Sequence, residues 1–281
     1  MAFGDLNRIN TNLQSLDSRF SLDRINRDLG RVQLRLSTGF RINRAEDDSA
    51  GFSIAAKLTA RIAGLDQALA NAGDAKSVLD IAEASLNSVN DILVTIKQKA
   101  TQAANDTLGS DERGFINDQV SALLDELNSL VDQTVFQNNQ LLDGSYSATF
   151  QVGERTADTI SVSISANGST GFNQTGLGLT GLSFADHQGA QSVIIDVDTA
   201  ITSVANQVNQ LGIYQTQLSI RQEILTQSIN SNSAARSRIK DADFAREQSE
   251  SIKLQILQQT ATSALAQANA APQAVLGFIS G

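Results

Sequence analysis

The sequence predicts a mostly α-helical protein, a long antiparallel helical rod or coiled-coil bundle with a small β-hairpin region in mid-sequence. Three observations predict this fold class. Apolar residues recur at three- and four-residue steps through both ends of the chain. Residues 145–164 change to an alternating pattern that is typical of strands. There is one proline in 281 residues, so little in the sequence interrupts long helices.

The composition excludes several classes of function. The chain has no cysteine and one histidine, which leaves no disulfide, no thiolate nucleophile and no cysteine or paired-histidine zinc site. A net charge of −9 argues against nucleic acid as a partner. No stretch reaches the roughly 18 apolar residues of a membrane span. We therefore expect no catalytic residue, no cofactor, no metal and no membrane insertion.

The first predicted helix carries a narrow apolar stripe whose phase shifts once, at Leu22. Gly39 follows the last apolar residue of the stripe and is a plausible stop signal. A helix with so narrow a stripe cannot bury it alone, so we expect neighbouring helices to complete the burial. The stripe consists of Leu6, Ile9, Leu13, Leu16, Phe20, Ile25, Leu29, Val32 and Leu36.

A second, very long helix follows the polar connector at residues 40–50. Its apolar residues continue from Leu58 to Ala103 in steps of three or four, which corresponds to a rod roughly 70 Å long. Residues 108–110 break the pattern, and Ser110 is predicted to cap a third helix. The apolar residues of that helix run from Ile116 to Leu130, and a turn is expected at residues 137–144.

The middle of the chain is predicted to form a β-hairpin and a loop. Residues 149–152 and 159–164 alternate like strands on either side of a turn-rich segment at 153–158. Residues 165–190 are rich in Gly, Ser, Thr and Asn and are expected to form an exposed loop.

Helical spacing returns at Ile194 and continues, less regularly, to Ile229. The last segment has a regular heptad pattern, and its alanines allow close approach of another helix. With helices at both chain ends, the chain is expected to go out and return, so that its two termini lie together. The apolar residues of the last segment are Leu254, Leu257, Ala261, Ala264, Ala268, Ala271, Val275 and Phe278.

Three features could be mistaken for chemical sites. The acidic run at residues 46–48 lies next to Arg41 and Arg44, so a salt-bridged connector is favoured over a metal site. His187 has no second histidine to help it bind a metal, so we interpret it as a surface residue. The glycines of residues 176–181 lack the lysine and the strand-then-helix context of a phosphate loop, so a flexible loop is favoured.

Long motifs at both ends of the chain resemble those of bacterial flagellins. Near the N-terminus, residues 36–51 (LSTGFRINRAEDDSAG), 64–68 and 71–75 are similar to consecutive flagellin segments. Near the C-terminus, the matching segments are residues 237–245 (SRIKDADFA), 255–259, 265–269 and 272–276. The resemblance omits residues 165–190 and indicates a short form without the large outer domains.

The resemblance implies an extracellular structural subunit that polymerises into the flagellar filament and serves motility. Residues 1–44 and 236–281 would form an inner terminal domain for assembly and channel lining. Residues 45–235 would form a rod-like second domain, with the hairpin and loop at about 145–190. Export without a cleaved signal peptide is implied. The alternative is a hook–filament junction-type adaptor of the same architecture.

The implied partners are other copies of the chain, a flagellin-export chaperone, the filament cap protein and the hook–filament junction proteins. The expected assembly seam combines residues of the first and last helices: Leu6, Ile9, Leu13, Leu16, Phe20, Leu29, Val32, Leu36, Leu254, Leu257, Ala261, Ala264, Ala268, Val275 and Phe278.

The resemblance also bears on the vertebrate innate receptor for flagellin. Flagellins that this receptor detects carry an Arg and a Leu about one turn apart on the long helix and a Glu on the adjacent helix. The corresponding positions here are Thr95, Lys99 and Gln119. These substitutions imply that the chain is a poor agonist of the receptor.

Overall fold

The structure, a computed structural model, covers residues 11–166, 168 and 170–280, and for residues 271–280 it gives only the backbone. Within these residues five helices and two antiparallel strand pairs follow one another, so the predicted fold class is confirmed. In chain order they are α1 (Leu13–Thr38), α2 (Ser49–Ala103), α3 (Ser110–Gln133), β1 (Val135–Phe136), β2 (Asn139–Gln140), β3 (Ser147–Gln151), β4 (Thr159–Ser163), α4 (His187–Lys240) and α5 (Phe244–Ser280).

The chain divides into two compact units. Unit 1 consists of residues 1–60 and 231–281, and unit 2 consists of residues 61–230. Unit 1 contains the pairing of α1 with α5. Unit 2 contains α3, both strand pairs and most of α2 and α4.

The core of unit 2 is built on two heptad helices. In α2 one series of buried residues repeats every seven positions, and a second series follows three positions later, which is the spacing that keeps an apolar seam facing a partner helix. The first series is Ala72, Leu79, Leu86, Leu93 and Ala100, and the second is Ala75, Ala82, Val89, Ile96 and Ala103. In α4 the matching buried series is Ala190, Val197, Val204, Leu211, Leu218 and Leu225.

The two strand pairs are short antiparallel hairpins. In the pair β3–β4, Ser147 lies opposite Ser163 and Gln151 lies opposite Thr159, as the alternating pattern predicted. The pair β1–β2 was predicted only as a turn. Its two linking residues, Gln137 and Asn138, have positive φ angles of 47° and 67°, the backbone that a two-residue hairpin turn requires.

The segment between β4 and α4 is not the exposed loop that its composition predicted. Phe172, Leu179 and Phe184 are buried in the core of unit 2, and the apolar area they bury holds the segment in place. Glycine allows a close backbone approach here, since a Cβ on Gly176 would lie 1.9 Å from the carbonyl oxygen of Gly171.

Several helix ends differ from their predicted positions. Helix α4 begins at His187 rather than Ile194, and α5 begins at Phe244, before the first residue of its predicted heptad series, Leu254. The predicted N-cap at Ser110 is wrong: Gly109 occupies the cap position without a side-chain hydrogen bond, and Ser110 is the first helical residue. The predicted stop at Gly39 is confirmed by its φ of 71° and its N–H bond to the Arg35 carbonyl.

Truncating a heptad residue of α2 should destabilise unit 2. Leu93 is fully buried, so Leu93→Ala is expected to lower the free energy of unfolding by about 2–5 kcal/mol through lost burial and a residual cavity. Urea denaturation followed by circular dichroism measures the change. The control is the adjacent, exposed Val94→Ala, expected to stay within about 0.5 kcal/mol. If both variants lowered the free energy of unfolding equally, the assignment of Leu93 to the buried heptad series of α2 would be contradicted.

Candidate assembly surface

Helices α1 and α5 are held antiparallel by polar contacts along their length. The Asn12 amide nitrogen donates to the Ala268 carbonyl at 2.7 Å. The Gln258 amide nitrogen donates to Asn26 Oδ1 at 2.7 Å. Arg35 pairs with Glu247 at 3.3 Å. As the residue number rises on α1 it falls on α5, so the contacts define one continuous antiparallel register.

The apolar contact between these two helices is small. Among the described side chains, its buried cluster consists of Leu29, Val32 and Leu254, and Ile25 and Leu36 pack partly against them. This is a short cluster for a helix of 26 residues. Because the stability of helices in proteins comes mainly from packing of an apolar face, this described cluster supplies only a small part of the packing that helices of this length need.

The phase shift at Leu22 places the two halves of the α1 stripe on different faces. At 100° per residue, the stripe before Leu22 is rotated by about 160° from the stripe after it. The later half packs against α5, and the earlier half points away from it. Accordingly Leu13, Leu16 and Phe20 are 50%, 57% and 68% exposed.

The predicted seam residues on α5 are also divided between buried and exposed positions. Leu254 and Ala268 are buried. Ala261 is half-buried, while Leu257 and Ala264 are exposed. Among the remaining predicted seam residues, Leu6 and Ile9 lie outside the described residues, and the side chains of Val275 and Phe278 lie outside the described side chains.

Helix α5 has a second apolar ridge that the sequence reasoning missed. Ile252 and Ile256 are exposed and lie one turn apart on the side of the helix away from Leu254. Phe244, at the start of the helix, is also exposed. The four-residue spacing of the isoleucines could have revealed this ridge, but the heptad series through Leu254 obscured it.

Backbone contacts join the segment that follows α1 to the segment between α4 and α5. Phe40 and Asp241 form an antiparallel bridge, and the Ala242 N–H donates to the Gly39 carbonyl at 2.9 Å. The Lys240 ammonium lies 4.3 Å from the centre of the Phe40 ring, a distance at which a cation–π attraction operates. These contacts fix the chain as it leaves α1 and as it enters α5.

The acidic run at residues 46–48 caps backbone groups. Asp47 accepts the N–H groups of Asn43 and Arg44, each at 3.0 Å, and Asp48 accepts the Gly51 N–H at 2.9 Å in the first turn of α2. Glu46 pairs with Arg44 at 3.1 Å. Within the described residues no group of three or more potential ligand side chains could hold a metal ion.

Hydrogen bonding lowers the pKa of Asp47 below its ordinary value of 3.8. The largest cause is the N–H of Arg44. Burial opposes the shift, while the Asn43 N–H and the charges of Arg35 and Arg31 support it. The ionised form of Asp47 is therefore favoured in the folded chain.

His187 is the first residue of α4 and not part of a loop. Its Nδ1 lies 2.5 Å from the Ala104 carbonyl at the end of α2 and 3.7 Å from Asp106. Arg113 of α3 donates to the Ala103 carbonyl at 2.9 Å. His187 and Arg113 therefore bind the otherwise unpaired carbonyls at the end of α2 and connect the ends of three helices.

The three positions implied for receptor contact lie on α2 and α3. The Thr95 hydroxyl donates to the Asp91 carbonyl at 2.9 Å within α2. Thr95 and Lys99 are half-buried, one turn apart, and Gln119 is exposed on α3. No helix in the described part of the chain has the length and apolar character that crossing a membrane requires.

Comparison with known proteins identifies close relatives. A family model described as the bacterial flagellin N-terminal helical region matches residues 9–147, and one described as the C-terminal helical region matches residues 194–279. A flagellin from Halalkalibacterium halodurans is 34% identical over 96% of this chain and 99% of its own length. A flagellin from Bacillus subtilis is 34% identical over 97% of this chain and 99% of its own length.

A solved structure shares the fold. It is that of a putative flagellar hook-associated protein from Vibrio parahaemolyticus, with a TM-score of 0.59 over 69% of this chain and 100% of that chain. Its sequence identity is 14%, so the likeness concerns the fold alone.

Asp47 should stabilise unit 1 in a pH-dependent way. Because its folded pKa is lowered, its contribution is present above the unfolded pKa and is lost as the pH falls through the folded pKa. We expect Asp47→Asn to lower the melting temperature at pH 7, and the difference from the parent chain to close below about pH 4.

Thermal unfolding between pH 2 and 7 measures this effect. The control is Glu46→Gln, which removes a neighbouring exposed carboxylate with no backbone donor and should change stability by at most about 1 kcal/mol. A constant difference between Asp47→Asn and the parent across the whole pH range would contradict the assignment.

Proposed function

The chain belongs to the bacterial flagellin family, and from this membership we propose that it is a structural subunit that polymerises into the extracellular filament of the bacterial flagellum and serves motility. The observation that carries the proposal is the set of exposed apolar side chains in unit 1. Phe20 on α1 and Ile252 and Ile256 on α5 face away from the contact between these helices.

Neighbouring copies are the natural cover for these side chains. Exposed apolar patches of this kind mark interaction surfaces. The exposed residues of α1 and α5 lie on helices whose mutual contact, among the described side chains, has a short buried cluster. A contact between different patches of identical chains generates an open helical polymer when its rotation does not close a ring. We propose that α1 and α5 acquire most of their stability on assembly.

We also propose how the chain is divided in the filament. Residues 1–44 and 236–281 would form the inner domain that lines the channel, and residues 45–235 the rod-like outer part. The continuous antiparallel register of α1 and α5 supports this proposal, because it keeps the two terminal segments together. A structural role needs no catalytic group, and we propose none for this chain.

The alternative of a junction-type adaptor is less well supported. The flagellins of Halalkalibacterium halodurans and Bacillus subtilis align over 99% of their own lengths. The hook-associated structure shares 14% sequence identity, so its likeness concerns the fold alone.

Further partners follow from a filament role. We propose that the chain is exported without a cleaved signal peptide and contacts a flagellin-export chaperone, the filament cap protein and the hook–filament junction proteins. The exposed ridge on α5 supports a chaperone in particular, because unassembled chains would otherwise present this ridge to one another.

Removing the exposed ridge of α5 should impair assembly while leaving the monomer intact. We expect Ile252→Ser combined with Ile256→Ser to raise the critical concentration for polymerisation by about tenfold or more, since each buried isoleucine contributes about 1.5–3 kcal/mol. Seeded assembly followed by sedimentation and electron microscopy measures it, and circular dichroism should show unchanged monomer helicity.

The matched control for this prediction is Leu254→Ser, on the buried side of α5, which should lower monomer helicity as well. Filaments formed by the parent chain on seeds are the direct test of the proposed function. An unchanged critical concentration for the double variant would exclude the ridge as an assembly contact.

The chain should be a poor agonist of the vertebrate innate receptor for flagellin. Thr95 lacks the forked donors of arginine, Lys99 has an ammonium in place of an apolar contact, and Gln119 lacks a carboxylate. Central interface contacts of this kind typically contribute about 2 kcal/mol or more each. A receptor-reporter assay with monomer should therefore show activation weakened by orders of magnitude.

Restoring Thr95→Arg, Lys99→Leu and Gln119→Glu together should raise receptor activation. The control is Thr101→Arg, because the Thr101 hydroxyl donates to the carbonyl four residues earlier, as that of Thr95 does. Half-maximal activation by the parent chain at the concentration of a strong agonist would refute the prediction.

A further inference from the structure

Unit 2 carries most of the negative charge of the chain. Residues 61–230 contain seven Lys and Arg against nineteen Asp and Glu, a net charge of −12. Residues 1–60 and 231–281 contain fourteen Lys and Arg against eleven Asp and Glu, a net charge of +3. Two copies of unit 2 brought side by side therefore repel each other unless the surfaces in contact carry little charge.

The negative charge is concentrated on α3. Four exposed aspartates repeat every seven residues and form a stripe along the helix, which we call the aspartate stripe. None of the four takes part in an ion pair within the part of the chain that the structure describes. The stripe consists of Asp111, Asp118, Asp125 and Asp132.

Helix α4 has the opposite character. No charged residue occurs between Asp198 and Arg221, so residues 199–220 form 22 consecutive uncharged positions. The exposed side of this stretch, which we call the neutral face, is made of amide, hydroxyl and aliphatic side chains. Its exposed members are Thr199, Thr202, Ala205, Asn206, Asn209, Gln210, Ile213, Thr216, Gln217, Ser219 and Ile220.

Two isoleucines stand on the neutral face. Ile213 and Ile220 lie two turns apart on one side of α4, and each is about half exposed. Ile224 continues the same line one turn further. The opposite side of α4 is occupied by the buried heptad series, so these isoleucines find no cover among the described residues of their own unit.

An amide side chain of α4 binds two acids of α2 beside the neutral face. The Gln215 side-chain nitrogen donates to Asp80 at 3.0 Å and to Glu83 at 2.6 Å, both on α2. The two carboxylates therefore have a hydrogen-bond donor on α4, and Asp80 remains exposed beside it.

We propose that the neutral face of α4 is the surface of unit 2 against which a second copy of this chain packs, and that the aspartate stripe stays in solvent. The inference rests on the proposed filament function and specifies the contact within it. Charge decides between α3 and α4 for a contact between two copies of unit 2: with −12 on each copy of unit 2, docking through α3 would bring aspartates against another acidic unit and would require their desolvation. Docking through α4 buries isoleucines and uncharged amides, whose hydrogen bonds can be made across the contact.

The size of the neutral face predicts a contact that works only in a polymer. Twenty-two helical residues span about 33 Å, and a helix is about 10 Å wide, so the face offers on the order of 330 Å². A stable pair of proteins usually buries about 800 Å² on each partner. The face is therefore expected to hold a second copy only together with the apolar contacts of unit 1, and not to form dimers of the free chain.

Thiol protection tests the proposal, because the chain has no cysteine of its own. Ile220→Cys introduces a single thiol on the neutral face, and Asp118→Cys introduces one on the aspartate stripe. The rate of alkylation by a small maleimide is measured for each variant as monomer and as seeded filament. We expect filament formation to slow the reaction at position 220 by about tenfold or more and to leave the rate at position 118 nearly unchanged.

The outcomes separate the contact from the filament function. If the parent chain forms no filaments on seeds, the proposed function fails. If filaments form and position 220 reacts at its monomer rate, the neutral face is exposed in the polymer and this inference alone is overturned. Protection at position 118 without protection at 220 would assign the contact to α3 instead.

A second variant guards against damage by the substitution itself. Gln217→Cys places the thiol on the same face without removing an isoleucine and should show the same protection. If neither variant of the neutral face polymerises while Asp118→Cys does, the face is required for assembly, which also supports the proposal.

Discussion

The structure depends on one constraint: helices α1 and α5 carry more apolar surface than the contact between them can cover. Leu29, Val32 and Leu254 are buried in that contact, whereas Phe20, Ile252 and Ile256 face outward. A helix that is apolar on more than one side needs more than one neighbour. The outward side chains stay exposed within the described part of the chain, and in the proposed filament other copies of the chain supply the second neighbour.

Unit 2 meets the same requirement internally. Its heptad series on α2 and α4 are covered by each other, by α3 and by the segment between β4 and α4, which contributes Phe172 and Phe184. A unit whose apolar side chains cover one another can stay folded before assembly. A helix pair that leaves apolar side chains exposed gains stability when another copy covers them. In the proposed filament the apolar contacts of unit 1 would therefore stabilise the assembly, and the charge pattern of unit 2 would decide which of its faces meets another copy.

Much of the fold could be predicted because heptad spacing is a direct consequence of helix geometry. The series through Leu86 and through Leu211 is visible in the sequence and buried in the structure. Other features depend on tertiary context. The β1–β2 turn requires positive φ at both Gln137 and Asn138. Asparagine favours that backbone, but Gln137 carries no signal for it, so the sequence predicts a turn without its two short strands. Phe172 looks like part of a polar loop until the core that receives it is known.

The predicted assembly seam shows that periodicity alone does not tell which face of a helix an apolar series occupies. The spacing predicts one seam from Leu13 to Leu36, whereas the shift at Leu22 rotates the first half of this series away from α5. Spacing alone establishes that apolar residues share a face, and only a count of the rotation across the shift establishes which face. Once the two halves are separated, α1 is a helix with one face directed to its own chain and another directed outward. A single chain that presents unlike surfaces on α1, α5 and α4 can make heterologous contacts in more than one direction, which is what an open helical polymer of identical subunits requires.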